Sequence, residues 1–161
     1  MINMRELEIA FVGLIQEYMR CPVVRVNQTA KTPDYGYIGY TIIAPMVANQ
    51  GHYGQYHDAR GKQVNQRWSF TCFSDEQEDS QQLALKLHTY LDAVGSIELK
   101  DSGIVVQSLT DITSRDTMLT VGYEYRNGFD VTLTLAQVIT QDEEINHETI
   151  EHVEFYNREE E

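Results

Sequence analysis

His52, His57 and Asp58 form the one grouping in this sequence whose residue types could hold a metal ion, because imidazole nitrogens and carboxylate oxygens are both zinc donors. The glycines and glutamines between them supply no rigid frame, and a metal site needs fixed geometry with supporting hydrogen bonds. They read better as loop histidines. His147 and His152, five apart in an acidic stretch, are no better placed. The glycines of Gly-His-Tyr-Gly-Gln-Tyr-His-Asp-Ala-Arg-Gly-Lys lack the spacing and the Lys-Ser/Thr ending with which backbone amides cradle a phosphate, and Gly-x-Ser-x-Gly and His-Glu-x-x-His are absent. Nothing selects Asp111, Asp116 or Asp130 from other turn acids as a pair for glycosidic chemistry. Cys21 and Cys72 have no metal-ligand partner spacing and read as thiols in a reducing compartment. The sequence therefore assigns no catalytic, cofactor or metal residue.

The same loop can be read as a contact surface. His52, Tyr53, Tyr56, His57, Arg60 and Lys62 combine aromatic and basic groups, and interfaces enrich Tyr and Arg while depleting acids. A solvated loop is the alternative. Nucleic acid is disfavoured, because two or three cations stand against a formal net charge of -13, from 25 acids and 12 Lys+Arg in 161 residues. The charge is uneven. Residues 142–161 hold nine acids and one base, Arg158, so this stretch carries -8 of the total. Glu151, Glu154, Glu159, Glu160 and Glu161 would repel phosphates, and suit either a passage through which nucleic acid moves or a solvated tail.

The elements that must position these groups follow from periodicity. Leu7, Ala10, Phe11, Leu14, Ile15, Tyr18 and Met19 fall on one stripe of an amphipathic helix, closed by Pro22. Tyr35–Ala44 and Arg67–Ser74 read as strands. Between them, residues 45–66 lack periodicity and suggest a protruding hairpin arm. Ser74 or Asp75 is placed to cap a second helix bearing Leu83, Leu87, Leu91 and Val94, which Gly95 ends. Ile104–Leu109 is a strand. Asn127-Gly128 is the favoured centre of a two-residue turn, predicting a closing hairpin with Leu119, Val121, Tyr123 and Tyr125 on one strand and Phe129, Val131, Leu133 and Leu135 on the other. The expected fold is α+β, two helices packed on one antiparallel-rich, mixed sheet as a two-layer sandwich. Residues 1–141 form one domain, with 142–161 an acidic extension. No apolar run approaches the roughly 20 residues of a membrane span, so no membrane association is expected.

The N-terminal amphipathic helix, the YGYIGYTII strand, RWSFTCFSD running into LALKLHTYLD, the IVVQSLTDIT strand and YEYRNGFDVTLTL together resemble the small tail terminator or neck proteins of long-tailed bacteriophages. The segment Tyr125-Arg126-Asn127-Gly128-Phe129-Asp130-Val131 is the most specific piece. The resemblance implies a non-enzymatic virion assembly protein, without cofactor, acting in the tail-neck region after assembly in the host cytoplasm. It implies a ring, of six copies, that caps the tail tube, stops its elongation and offers a surface for head joining. The implied partners are further copies of itself, the tail tube protein and a head completion or connector protein, with DNA passing through unbound. A head-to-tail connector is the neighbouring alternative, and a small enzyme of unfamiliar type the distant one. The acidic extension after residue 141 stands outside the pattern that carries the resemblance.

Overall fold

The computed structural model describes residues 2–26, 31–47, 51–56, 59–119 and 122–140, with the backbone alone at Tyr56. Helix α1 (Met4–Met19) starts where the Asn3 side chain accepts from the amides of Arg5 and Glu6, satisfying donors that have no partner inside the first turn. It stops at Arg20, which takes the left-handed conformation at φ 56°, just ahead of Pro22. Strands β1 (Val23–Arg25), β2 (Tyr37–Val47), β3 (Gly54–Tyr56) and β4 (Ala59–Ser74) follow. Helix α2 (Gln77–Thr89) passes through a π-helical turn, Tyr90–Val94, into helix α3 (Ser96–Asp101). Strands β5 (Ile104–Leu109), β6 (Thr113–Ser114), β7 (Thr117–Leu119) and β8 (Gly122–Thr140) complete the chain's described part.

The sheet is mixed and its order is β1-β2-β4-β8-β5, with β3 beside β4 and both β6 and β7 beside β8. Only β1 and β2 run parallel among these pairs. The expected α+β arrangement of helices on a mixed sheet is what the molecule has. Alternation sends Ile38 and Tyr40, Trp68 and Phe70, and Phe129, Val131 and Leu133 to one face, where all are buried. Phe11 of α1 meets Trp68 and Phe70 edge-on, with ring centroids 5.3 and 6.0 Å apart. The Trp68 indole donates to Gln66 Oε1 at 3.1 Å, and Gln66 Nε2 reaches Met4 Sδ at 3.2 Å. This buried polar chain fixes the N-terminal end of α1 over the sheet.

Three local expectations are corrected. Asn127-Gly128 is not a turn: β8 runs unbroken through both residues, and the pairing of β7 with β8 brackets residues 120–121 instead. Asn127 is buried and donates to Ser80 Oγ, while Gly128 lies between β4 and β6. The second helix begins at Gln77 after Glu76, whose side chain makes no capping bond; Ser74 Oγ accepts from the Glu76 amide one residue early. Gly95 does not end the helical segment either. At φ -87° it joins the π-turn to α3, and the Tyr90 ring fills the space a Cβ would take.

Candidate assembly surfaces

Strand β8 is 19 residues long, or roughly 60 Å at about 3.3 Å per residue, and each of its ends leaves the helix-covered core. At one end β2 stops pairing with β4 at Val47 opposite Asn65, and β5 begins at Ile104 opposite Leu135. Beyond that line β4 and β8 continue together, with β3 turned back along β4. The protruding arm is thus built from β3, β4 and β8, with the strand read at Arg67–Ser74 running back to Ala59 as part of it.

Register sorts the arm's residues by face. Lys62 lies opposite Gln137, and Arg60 lies opposite both Ile139 and Gln55. Cross-strand partners share a face, so Arg60 and Lys62 stand on the same side as Val64, Leu135 and the helices. The Lys62 ammonium sits 4.8 Å from the centroid of the Tyr53 ring, a cation–π contact that leaves Tyr53 39% exposed. Gln137 is 7% exposed, and its Oε1 is buried with no hydrogen-bond partner. Of the sequence-level contact residues, the structure brings Tyr53 and Lys62 together and sets Arg60 in the next row. His52 is exposed one residue before Tyr53. His57, Asp58 and the Tyr56 side chain lie outside the described residues, as do Glu151, Glu154, Glu159, Glu160 and Glu161 and with them the acidic extension. Gln137 and Ile139 were not foreseeable as site residues, because only the pairing register places them beside Lys62 and Arg60.

At the other end, the β7–β8 hairpin carries apolar side chains into solvent. Met118 is 78% exposed and lies opposite Tyr123, which is 47% exposed and whose ring is 5.1 Å from that of Tyr125. Leu119 is exposed as well. Apolar groups clustered at a tip mark a contact surface more than a folding requirement.

The remaining polar clusters hold the fold. Arg115 donates to Ser69 Oγ and Thr71 Oγ1 at 2.8 and 3.2 Å and pairs with Asp130 at 3.1 Å, while Asp116 accepts from the Arg126 amide at 2.7 Å. Two of the three carboxylates considered for acid–base work are therefore engaged in joining β6 and the segment after it to the sheet. A cleft of about 420 Å³ has Tyr37 stacked on Phe73 at 4.6 Å, with Arg126 over Phe73 and already paired with Glu124. Burial raises the thiol pKa of Cys72 and of half-buried Cys21, so neither is primed as a thiolate. Among the described residues, no three His, Cys, Asp or Glu side chains converge on a metal-sized site, and no helix is long and apolar enough to cross a membrane.

Comparison with known proteins agrees with an assembly role. A search of curated proteins returned no match. A family model described as phage neck terminator protein matches residues 10–160, a span that takes in both β-sheet ends and the acidic segment after residue 141. The chain thus belongs to the phage neck terminator proteins, structural assembly components of the tail-neck region of the virion rather than enzymes.

Proposed function

We propose that the protein forms a homo-oligomeric ring, of six copies, that caps the tail tube, terminates its elongation and presents the surface on which the head is joined. The observation that carries this reading is the pair of unlike surfaces at the two ends of β8: an aromatic and cationic arm at one, an apolar hairpin at the other. A protein that joins two bodies needs two such ends held at a fixed separation, and a continuous strand inside a packed sheet supplies that rigidity. Membership of the phage neck terminator family supports a position at the neck. The arm face with Tyr53, Arg60 and Lys62 serves copy-to-copy or tube contact, in keeping with the sequence reading of His52, Tyr53, Tyr56, His57, Arg60 and Lys62 as a contact segment. The Met118 and Tyr123 end then meets the head completion or connector protein.

Glu151, Glu154, Glu159, Glu160 and Glu161 contribute a negative collar repeated around the ring axis. Such a field repels phosphates, so DNA passes without being held. Paired variants test the division of labour. Tyr53→Ala with Lys62→Glu should give tails of uncontrolled length, whereas Met118→Asp with Tyr123→Asp should give tails of normal length that fail to join heads. Normal, joined tails from both variants would contradict the proposal.

A further inference from the structure

We infer that β3, with Tyr53 just ahead of it, adds as a strand to the outer edge of β5 in a second copy of the chain and seats the Tyr53 ring in the groove between that copy's α3 and β5. The inference rests on the reading of the arm as a copy-to-copy contact, and names the surface that receives it. Strand β5 is the last of the sheet, and among the described residues it pairs only with β8. Edge strands are commonly guarded by charge or proline against further pairing. The edge of β2 beyond Tyr40 carries Pro45, whereas Ile104–Leu109 has neither guard. The register of β5 on β8 shifts between Val106 and Ser108, which leaves Ile104–Val106 as a regular edge equal in length to β3, Gly54–Tyr56. Beside that edge lies a groove of about 230 Å³ lined by Leu91, Leu99, Val106 and Leu109, with Val105 exposed at its mouth. Val94 and Ile97, in the helical segment that walls it, are exposed too, Ile97 by 75%. Apolar side chains gathered beside an unguarded edge suit an incoming strand, whose backbone bonds to the edge while a side chain fills the groove.

Geometry makes this a contact between copies. Within one chain the strands lie in the order β3-β4-β8-β5, so three strand spacings hold β3 roughly 14 Å from β5. The two strands between them are paired continuously from Ala59 opposite Thr140 to Ser74 opposite Tyr125, and so stiff a ribbon does not fold the arm onto its own groove. The two edges are unlike and every copy carries one of each. Such a contact is heterologous: it passes from copy to copy and closes a ring where the rotation allows. Charge selects the occupant. From Tyr90 to Gly103 the charged residues are Asp92, Glu98, Lys100 and Asp101, three acids to one base and all exposed, with Asp92 and Lys100 lining the groove. Along β3 and along β4 from Ala59 to Gln66 they are Arg60 and Lys62. The Lys62 ammonium lies 4.8 Å from the centroid of the Tyr53 ring, so the ring carries a cation with it to the acidic rim. Opposite signs on the two surfaces steer the encounter and fix its register.

The test uses full-length variants in sedimentation at physiological salt. Tyr53→Ala with Lys62→Glu disables the arm, and Val105→Glu with Ile97→Glu disables the groove through side chains that are already exposed, so both should melt with the parent. Each alone should need a concentration about tenfold higher than the parent to associate, or more. Mixed in equal amounts, the two should form a dimer that grows no further, because the first variant keeps its groove and the second its arm. In that dimer the amides of Gly54–Tyr56 and Ile104–Val106 should exchange with deuterium more slowly than in either variant alone. A variant that associates like the parent, a mixture without dimer, unchanged exchange in both strands, or a parent still monomeric at millimolar concentration overturns the inference. Should the doubled groove variant melt early, Ile97→Glu alone takes its place. Rings from the parent with no mixed dimer sink this contact and leave the ring reading standing, whereas a mixed dimer from a chain whose parent forms open filaments sinks the terminating ring and spares the contact.

Discussion

Gly128 shows how one residue can carry two opposite meanings. As the second half of Asn-Gly it is a favoured turn residue, yet in the fold it sits mid-strand without positive φ, and a Cβ there would lie 2.4 Å from the Phe70 carbonyl oxygen. That oxygen belongs to the backbone of the neighbouring strand and cannot swing aside. Gly128→Ala should therefore destabilise the domain by about 1–3 kcal/mol, the usual range for overpacking, read as a lower urea midpoint; an unchanged midpoint would mean that β4 and β8 are not so closely apposed. The tyrosines make a second prediction. Burial, with help from Glu98, pushes Tyr90 up to about 12, and burial together with the 2.6 Å bond to Glu8 also raises Tyr40. Unfolded tyrosine titrates near 10, so above that pH the unfolded chain has released protons that the native state keeps. Stability from these groups is complete below pH 10 and is lost as pH rises through 10 towards 12. Tyr90→Phe should flatten this alkaline fall in stability, and a slope equal to the parent's would show that Tyr90 is not a source of it.

Among the elements, those with a period set by one packed face were legible: α1 from its apolar stripe, β4 from Trp68, Phe70 and Cys72. The β8 region was misread for a reason that parity exposes. A two-residue turn at Asn127-Gly128 would pair Tyr125 with Asp130, putting odd-numbered residues before the turn on the opposite face from Phe129 and Val131. A single strand keeps Asn127, Phe129, Val131, Leu133 and Leu135 together, as observed in the buried face. Unbroken odd-residue alternation was the available signal, and the local turn preference obscured it. Helix α3 and the parallel pairing of β1 depend on tertiary partners and left little trace in a six-residue and a three-residue segment. In the candidate site, composition pointed to Tyr53 and Lys62, whereas Gln137, Met118 and Tyr123 needed the register of β8. The junction of α2 with the sheet gives a test at this scale. Ser80 Oγ donates to the Cys72 carbonyl and accepts from Asn127 Nδ2, each at 3.0 Å. Ser80→Ala leaves both buried groups without that partner and should cost about 1–3 kcal/mol; a loss near zero in thermal melts would mean that this bridge does not anchor α2.

For the whole molecule, the governing facts are an acidic chain of net charge -13, a sheet with helices on one side, and two unlike surfaces separated by the length of β8. Charge on this scale keeps copies apart until specific contacts accumulate, which suits the proposed assembly at the end of a finished tube. The central claim is assembly as a terminating ring. The most direct measurement is cryo-electron microscopy of tails isolated with the protein present and from a mutant lacking it. The account predicts a closed ring of copies at the head-proximal end of the tube, with the β3–β4 arms and the β7–β8 hairpins pointing in opposite directions along the axis, and tails of irregular length in its absence. Tails of normal length without the protein, or density for it away from the tube's end, would contradict the account.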